Sequence, residues 1–181
     1  ELDFLTGIMG RKLFLHTCLR SQKSHAGAAG WFLVCDLDYF KHINDKYGHS
    51  VGDEVLKQFA EHLQNTFRFC GSVGRIGGDE FVVFGTISDE EGAAQSGPPV
   101  PEADTICEDS GSCWKMSVSV GIALAPQHGR SFAKLYAKAD KALYQTKDKG
   151  KNGYTIYEEK GIKREYDKKA CVSLETQAFL M

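Results

Sequence analysis

The sequence predicts a mixed α/β domain in which helices flank a central sheet, and three features support this fold class. The run Trp31 to Asp38 is continuously apolar and ends in acid, which is typical of a strand buried on both faces. Two apolar stretches flank Gly77-Gly78, which indicates a β-hairpin with a two-residue turn. Val51 to Phe67 carries an apolar residue at every fourth position, as an amphipathic helix does.

The other elements follow from the same periodicities, which predict a first helix, a short helix after the central strand, two hairpin strands, a further strand, a long helix and a closing strand. Their predicted bounds, in that order, are Arg11 to Ser24, Tyr39 to Tyr47, Ser72 to Ile76, Phe81 to Phe84, Met116 to Leu124, Ser131 to Lys149 and Tyr154 to Tyr157. Between the hairpin and the next strand, Thr86 to Cys113 is rich in Gly, Ser, Pro and acid. This composition favours an exposed loop with at most a short helical turn.

Length and composition favour one compact domain. The chain has 181 residues, of which 42% are hydrophobic and 25% charged, enough to bury a core. We expect the domain to span residues 1–158, with a C-terminal tail over 159–181 that either packs on it or is an added end. Because the chain opens at Glu1 with neither an initiator Met nor a leader, we expect a fragment cut from a longer protein.

Charge and cysteine usage exclude several classes of partner. The formal net charge of −2 argues against general binding to nucleic acid or an anionic membrane, so a phosphate-bearing ligand needs a local site. No apolar run is long enough to span a bilayer. The six cysteines are scattered without CxxC pairs, which favours reduced thiols in a cytoplasmic protein. Cys107 and Cys113 are six residues apart, which is only weak evidence for a disulfide, and we leave this pair unassigned.

Three acids stand where strands are predicted to end. Asp36 ends the central strand, and the hairpin turn delivers Asp79 and Glu80. If these strands are neighbours, the like charges gather in one cleft and repel unless a cation or protons intervene. Oxygen ligands without His or Cys suit Mg²⁺, an ion that shares phosphate oxygens, and so point to a nucleoside triphosphate. Any one of these acids alone would be read as a turn residue or strand terminator.

A second group of polar residues follows the central strand. Asp53, predicted in the first turn of the long helix, is either a partner of the helix dipole or an acceptor for the N1–H and N2–H₂ edge of guanine, with Asn44 beside it. Lys41, Lys147 and Lys151 are candidate phosphate ligands, although each alone is typical of a solvated surface lysine.

Five ordered motifs resemble the GGDEF family of diguanylate cyclases, over about Asp3 to Tyr157. They are DFLTGIMGR (Asp3 to Arg11), the DxDxFKxINDxxGHxxGDxxL pattern (Asp36 to Leu56), GGDEF (Gly77 to Phe81), SVGIA (Ser119 to Ala123) and ADKALYQTKDKGKN (Ala139 to Asn152).

The resemblance implies a palm-like, mainly antiparallel sheet flanked by helices, related to nucleotidyl cyclases, and the synthesis of cyclic di-GMP from GTP. It implies a pair of Mg²⁺ ions per active site, replaceable by Mn²⁺. Carried over by position, the implied metal ligands are Asp36, the Leu37 carbonyl, Asp79 and Glu80. The implied catalytic residues are Asp79, Glu80 and Lys41. The implied substrate contacts are Phe40, Asn44, His49, Asp53, Gly77, Gly78, Lys147 and Lys151.

The reaction itself implies a homodimer. Each GTP offers its 3′-hydroxyl to the α-phosphate of the other, so two sites must face each other around a two-fold axis. In this family an attached sensor usually governs that pairing. The resemblance therefore implies a sensor domain in the full-length chain and a cytoplasmic domain, either free or as the cytoplasmic part of a membrane-anchored sensor.

Two departures from the family pattern are visible. The RxxD of product-inhibited members reads RFCG here, so Arg68 is present but Gly71 replaces the Asp, and we expect a degenerate product site with Arg68 serving as a C-terminal helix cation. Lys151 stands where Arg is more usual, which keeps the charge but loses the planar fork. An active cyclase is favoured; the alternatives are a silent GTP-binding regulatory module and a cyclase for another purine, against which Asp53 argues.

Overall fold

The computed structural model describes residues 1–24, 28–86, 100–101, 104–107 and 113–159. Its helices are α1 (Arg11–Ser24), α2 (Phe40–Tyr47), α3 (His49–Thr66) and α4 (Phe132–Asp148). Its strands are β1 (Met9–Gly10), β2 (Gly30–Leu37), β3 (Gly71–Gly77), β4 (Glu80–Thr86), β5 (Asp104–Cys107), β6 (Cys113–Met116), β7 (Val118–Ala125) and β8 (Gly153–Ile156).

Within these residues six strands form one sheet in the order β1-β3-β4-β2-β7-β8. The four inner strands pair antiparallel, while β1 pairs parallel with β3 and β8 parallel with β7 at the two edges. The expected fold class, a mainly antiparallel sheet flanked by helices, is confirmed. Strand β2 lies between β4 and β7 and is buried along its length except at Asp36, as its apolar run predicts.

The sheet separates two apolar cores because successive side chains of a strand point to opposite faces. On one face, Leu33 and Cys35 pack with Val55, Phe59 and other residues of α3. On the other, Phe32 and Val34 pack with α1 and α4. Helix α4 lies so close to β7 that a Cβ on Gly121 would be 2.0 Å from the Ala139 carbonyl oxygen. This approach explains the glycine of the SVGIA motif.

The start of the long helix and the position of the hairpin turn differ from the predicted ones. Helix α3 begins at His49, since Gly48 (φ +88°) alone separates it from α2, and Asp53 therefore lies in its second turn. The hairpin turn consists of Gly78 and Asp79, because Gly77 still pairs with Glu80 across a bulge at the end of β3. The turn remains two residues long, but its position is one residue later than predicted.

The segment Thr86 to Cys113 was predicted as a loop, and part of it is strand. Strand β5 pairs antiparallel with β6 in a two-stranded sheet that sets Cys107 opposite Cys113, because cross-strand hydrogen bonds outweigh the turn-rich local composition there. The rest of that segment, 87–99, 102–103 and 108–112, lies outside the described residues, as does the tail from residue 160. Cys18, Cys35 and Cys70 are free thiols, as expected. None of the described helices is long and apolar enough to cross a bilayer.

Candidate active site

Two carboxylates meet where β2 and β4 run side by side. Asp36, the penultimate residue of β2, lies directly opposite Glu80, the first residue of β4. Both project to the sheet face that is covered by α1 and α4, because Val34 and Val82, two residues away on each strand, pack into the core on that face. The Leu37 N–H also donates to the Asp79 carbonyl at 3.4 Å. The predicted proximity of the strand end and the hairpin is confirmed.

Asp36 is a partly buried carboxylate that lies near two other acids and one lysine. Its side chain is 20% exposed and accepts an ion-pair contact of 2.9 Å from Lys147 Nζ on α4. Burial raises the pKa of Asp36 above its ordinary value, the negative charges of Asp79 and Asp38 raise it further, and Lys147 opposes these effects. The positive charge of Lys147 therefore does not fully offset burial and the neighbouring negative charges at Asp36. A bound cation would further stabilise the ionised form of this carboxylate.

The acids do not form a closed metal cage. Among the described residues, no group of three or more His, Cys, Asp or Glu side chains converges closely enough to hold a metal ion. The three acids are less tightly clustered than the sequence predicted. Asp36 forms an ion pair with Lys147, while Glu80 accepts a hydrogen bond from another residue of α4. The donor chemistry of carboxylate and carbonyl oxygens still fits a hard cation that keeps waters and phosphate oxygens as further ligands.

The residue bonded to Glu80 is Tyr136, which sequence reasoning missed. Its hydroxyl donates to Glu80 Oε1 at 2.5 Å. Burial raises the pKa of Tyr136 far above its ordinary value, and the hydrogen bond and charge of Glu80 raise it further, so the phenol stays protonated as a donor. The available signal was a tyrosine beside the apolar stripe of α4, where an aromatic ring needs a partner for its hydroxyl.

Asp38, also missed, has a structural role at the same strand end. It is 3% exposed and accepts hydrogen bonds from Ser119 Oγ (2.7 Å), Ser117 Oγ (2.8 Å) and the Asn152 N–H (3.0 Å). It therefore ties β2 to the start of β7 and to the turn between α4 and β8. The DLD sequence could have indicated this role, because two acids at the end of a buried strand both need hydrogen-bond or ion-pair partners.

The turn fixed by Asp38 carries Lys151. Both Lys151 and Asn152 have positive φ values, of 66° and 48°, so the chain bends sharply there. The Lys151 ammonium lies 3.7 Å from the centroid of the Tyr39 ring, a cation–π contact. The structure thus brings Lys151 next to Tyr39, the residue that follows the DLD strand end.

The predicted guanine contacts lie on α2 and α3. A Cβ on Gly52 would be 1.9 Å from Asn44 Oδ1 and 3.3 Å from Phe40 Cζ, so the Asn44 amide and the Phe40 ring pack directly against this glycine, and a larger residue there would displace the Asn44 amide. Asp53 follows Gly52 directly and is exposed. The structure therefore brings Asn44 and Asp53 to adjoining positions, while Lys41 and His49 are exposed on the same two helices.

A clamp of three residues holds the hairpin turn from the other side. The Arg75 guanidinium donates through Nε (3.0 Å) and Nη2 (2.7 Å) to the Gly78 carbonyl, and through Nη1 (2.9 Å) to Asp3 Oδ1. Asp3 also accepts from the Thr6 N–H and hydroxyl. Burial alone would raise the pKa of Asp3, but hydrogen bonds from Thr6 and Arg75 outweigh it and lower that pKa. The DFLTG motif therefore serves to fix the turn.

Comparison with known proteins identifies the family to which the chain belongs. The model of the family described as "Diguanylate cyclase, GGDEF domain" matches residues 1–153. The chain belongs to the GGDEF family.

Several relatives of this GGDEF domain carry cyclase names. It is 38% identical over 127 residues to the bifunctional diguanylate cyclase/cyclic di-GMP phosphodiesterase MucR of Pseudomonas aeruginosa, covering 70% of this chain and 18% of that protein. It is 34% identical over 167 residues to the diguanylate cyclase DgcS of Shewanella oneidensis, covering 85% of this chain and 52% of that protein. The chain thus spans at most about half the length of these relatives.

Solved structures share the fold. The GGDEF domain of TpbB (YfiN) from Pseudomonas aeruginosa superimposes with a TM-score of 0.73 at 30% identity, covering 87% of this chain and 95% of that one. The GGDEF domain of DgcB from Caulobacter crescentus, solved with c-di-GMP, gives 0.70 at 26% identity, covering 87% and 93%.

The degenerate product motif of the GGDEF domain lies apart from the acids. Helix α3 ends at Thr66 with no basic residue in its last turn, and Arg68 follows two residues later, so its role as a C-terminal helix cation stays a prediction. The Arg68 guanidinium lies 5.5 Å from the centroid of the Phe69 ring. It lines a groove of about 470 Å³ together with Gly71 and Ser72, and none of the site acids contributes to that lining.

Proposed function

We propose that this GGDEF domain is a diguanylate cyclase, which condenses two GTP into cyclic di-GMP and releases two pyrophosphates. The observation that carries the proposal is the pair Asp36 and Glu80, opposed across β2 and β4, with Lys147 2.9 Å from Asp36. Carboxylates and an ammonium at one strand end supply oxygen ligands for a hard cation and a cation for phosphate. The names of the relatives support the same activity.

The carboxylates and the hairpin backbone would hold the metal. We assign Asp36, the Leu37 carbonyl, Asp79 and Glu80 as ligands of Mg²⁺ or Mn²⁺, because all four offer oxygen and Asp36 lacks enough positive charge nearby. When bound, the ions neutralise the triphosphate, lower the pKa of the attacking hydroxyl and stabilise the departing pyrophosphate.

The lysines orient the triphosphate. Lys147 reaches the strand end from α4 and can exchange its contact with Asp36 for one with phosphate. Lys151 is held near the same strand end by Asp38 and by the Tyr39 ring. Lys41 extends from the first turn of α2. As point charges these ammonium groups hold phosphate without the bidentate geometry of arginine.

The helix pair α2–α3 would select guanine. Asp53 accepts the N1–H and N2–H₂ donors of the base, and the Asn44 amide lies beside it, packed on Gly52. Adenine lacks that donor pair, so its binding would leave the acid without a partner in a desolvated contact. Phe40 and His49 complete this side of the pocket, while Gly77 and Gly78 let the hairpin backbone approach the nucleotide.

Turnover requires two copies of the domain. In each half-reaction the 3′-oxygen of one GTP bonds to the α-phosphorus of the other, the bond to the β-phosphate oxygen breaks, and the 3′-proton passes to solvent. Two such steps close the ring and release two pyrophosphates. Since one domain binds one GTP in this arrangement, two domains must face each other around a two-fold axis. We place this reaction in the cytoplasm, under the control of a sensor in the full-length protein.

A product assay tests the proposal. The purified chain is incubated with GTP and Mg²⁺ at several protein concentrations, and the products are identified by chromatography. Cyclic di-GMP formed at a rate that rises more than linearly with protein, and lost in Asp79→Asn, supports a dimeric cyclase. GTP binding without product at high protein concentration would instead support a silent regulatory module. Mixed cyclic dinucleotides from ATP plus GTP would indicate a different purine specificity.

We also propose that cyclic di-GMP exerts weak feedback or none through the RFCG segment. Gly71 offers no carboxylate beside Arg68, and the Arg68 guanidinium faces the Phe69 ring. Isothermal titration of the chain with cyclic di-GMP should therefore give no tight binding that depends on Arg68. Tight binding abolished by Arg68→Ala would contradict this.

A further inference from the structure

Helix α4 contacts both opposed acids, but through residues far apart along its axis. Lys147 pairs with Asp36, and Tyr136 donates to Glu80. These two helical residues are eleven positions apart, which corresponds to about three turns and a rise of about 16 Å. The two carboxylates on facing strands therefore have different partners on α4: Asp36 pairs with the Lys147 ammonium, and Glu80 accepts a hydrogen bond from the Tyr136 phenol.

The phenol is held rigidly. The Tyr136 ring stacks on Phe132 at 5.8 Å with an interplanar angle of 21°, and meets Phe32 edge to face at 6.3 Å. Phe32 is fully buried in the core beneath α4, and Phe132 packs against the same core. The direction of the hydroxyl is thus set by core packing, and the bond to Glu80 costs little additional side-chain entropy.

We propose that Tyr136 is a positioning residue for Glu80, an inference that rests on the proposed function. Its hydroxyl donates to Oε1, so the carboxylate would be presented to the divalent cation of GTP in one orientation, with Oε2 not engaged by Tyr136. A hydrogen-bond donor behind a ligating carboxylate restricts its rotation and commonly contributes ten- to a hundredfold to metal affinity or activity. A purely structural tyrosine would stabilise the fold without changing metal affinity.

Tyr136→Phe tests this, because it removes only the hydroxyl and keeps the stacked ring. The control is Tyr144→Phe, which makes the same change on the same helix at a side chain that is 67% exposed. Mn²⁺ affinity of the full chain is measured by electron paramagnetic resonance in the presence of a non-hydrolysable GTP analogue, after melting curves show that each variant is folded. We expect Tyr136→Phe to weaken Mn²⁺ binding about tenfold and Tyr144→Phe to leave it within about twofold. Unchanged affinity in Tyr136→Phe would overturn the proposal.

A double-mutant cycle with Glu80→Gln locates the effect. If Tyr136 acts through Glu80, the loss caused by Tyr136→Phe should disappear in the Glu80→Gln background. An equal loss in both backgrounds would mean that Tyr136 acts elsewhere, which would refute the positioning role. Because this readout is metal affinity, it is independent of the product assay: a chain without cyclic di-GMP synthesis that shows the coupling would contradict the cyclase function and support the role of Tyr136.

Discussion

The two halves of the candidate site are built differently. On the side of the acids, side chains are already bonded: Asp36 to Lys147, Glu80 to Tyr136, and Asp38 to two serines and a backbone N–H. On the side of α2 and α3, Lys41, His49 and Asp53 are exposed on helix surfaces. Under the proposed function, the bonded half would hold the cation and the triphosphate, and the exposed Asp53 would become desolvated when guanine binds.

This contrast has a kinetic meaning. Glu80 and Asp38 are held by hydrogen bonds before substrate arrives, and groups that are held in place in this way can stabilise the transition state without reorganising during reaction. Contacts that form on binding act on the ground state as well, and their loss appears in KM. Substitutions in the two halves should therefore affect different kinetic constants.

The largest expected effect is at the preorganised half. Asp36→Asn keeps the size of the side chain but removes its charge, and we expect kcat to fall by about a thousandfold, because Asp36 is a proposed metal ligand and such a ligand contributes several kcal/mol to the transition state. The measurement is initial rate of cyclic di-GMP formation at saturating GTP. Glu61→Gln, an exposed neutralisation on α3, is the matched control and should change little. A rise in KM with an unchanged kcat would contradict the expected kinetic difference between the two halves of the site.

The next effect is at the guanine side. Asp53→Asn replaces a double acceptor with an amide, and we expect kcat/KM for GTP to fall by about a hundredfold, mostly through KM. Inosine triphosphate, which lacks the exocyclic amine, should lose less, so the preference for GTP over it should shrink. Equal losses for both nucleotides would show that Asp53 does not contact the amine.

The sequence predicted the elements better than the contacts between them. Helix α1 has the predicted bounds, and β2 lies beside the hairpin as expected, because apolar periodicity and glycine pairs are local signals. Tyr136 and Glu80 are 56 residues apart in the chain, and nothing local relates them. Their contact depends on how α4 packs across the sheet, including its close approach at Gly121. Composition likewise favoured a loop where β5 pairs with β6.

For the site residues too, the sequence predicted positions in the chain better than contacts in the fold. The DLD strand end predicted a carboxylate site, but only the fold distinguishes its two acids: Asp38 is buried and hydrogen-bonded to Ser117 and Ser119, while Asp36 remains partly exposed. The order of motifs placed Asp53 near the start of α3, and its position one turn later follows from the short connection at Gly48.

A stability measurement sharpens the distinction between those two acids. Asp38→Ala leaves three donors without their acceptor in a buried position, so we expect a loss of about 3 kcal/mol in the free energy of unfolding. Asp36→Asn should not destabilise the fold, because burial and nearby negative charge already raise the pKa of Asp36 and disfavour its ionised form. Urea unfolding of both variants at neutral pH makes the comparison. Similar losses for both would mean that Asp36 is also structural.

The smallest expected effect is at the clamp that fixes the hairpin turn, and its magnitude depends on pH. The folded state lowers the pKa of Asp3, so the charged form contributes stability above the unfolded value of 3.8, and this contribution is lost as pH falls through the lower folded value. Asp3→Asn should therefore cost about 1 kcal/mol at neutral pH and progressively less below pH 3.8. Urea unfolding at neutral and acidic pH measures the difference, with Glu61→Gln as the exposed control. A cost that stays constant at acidic pH would mean that Asp3 stabilises the turn through its shape rather than its charge, and that Arg75 holds Gly78 without the carboxylate.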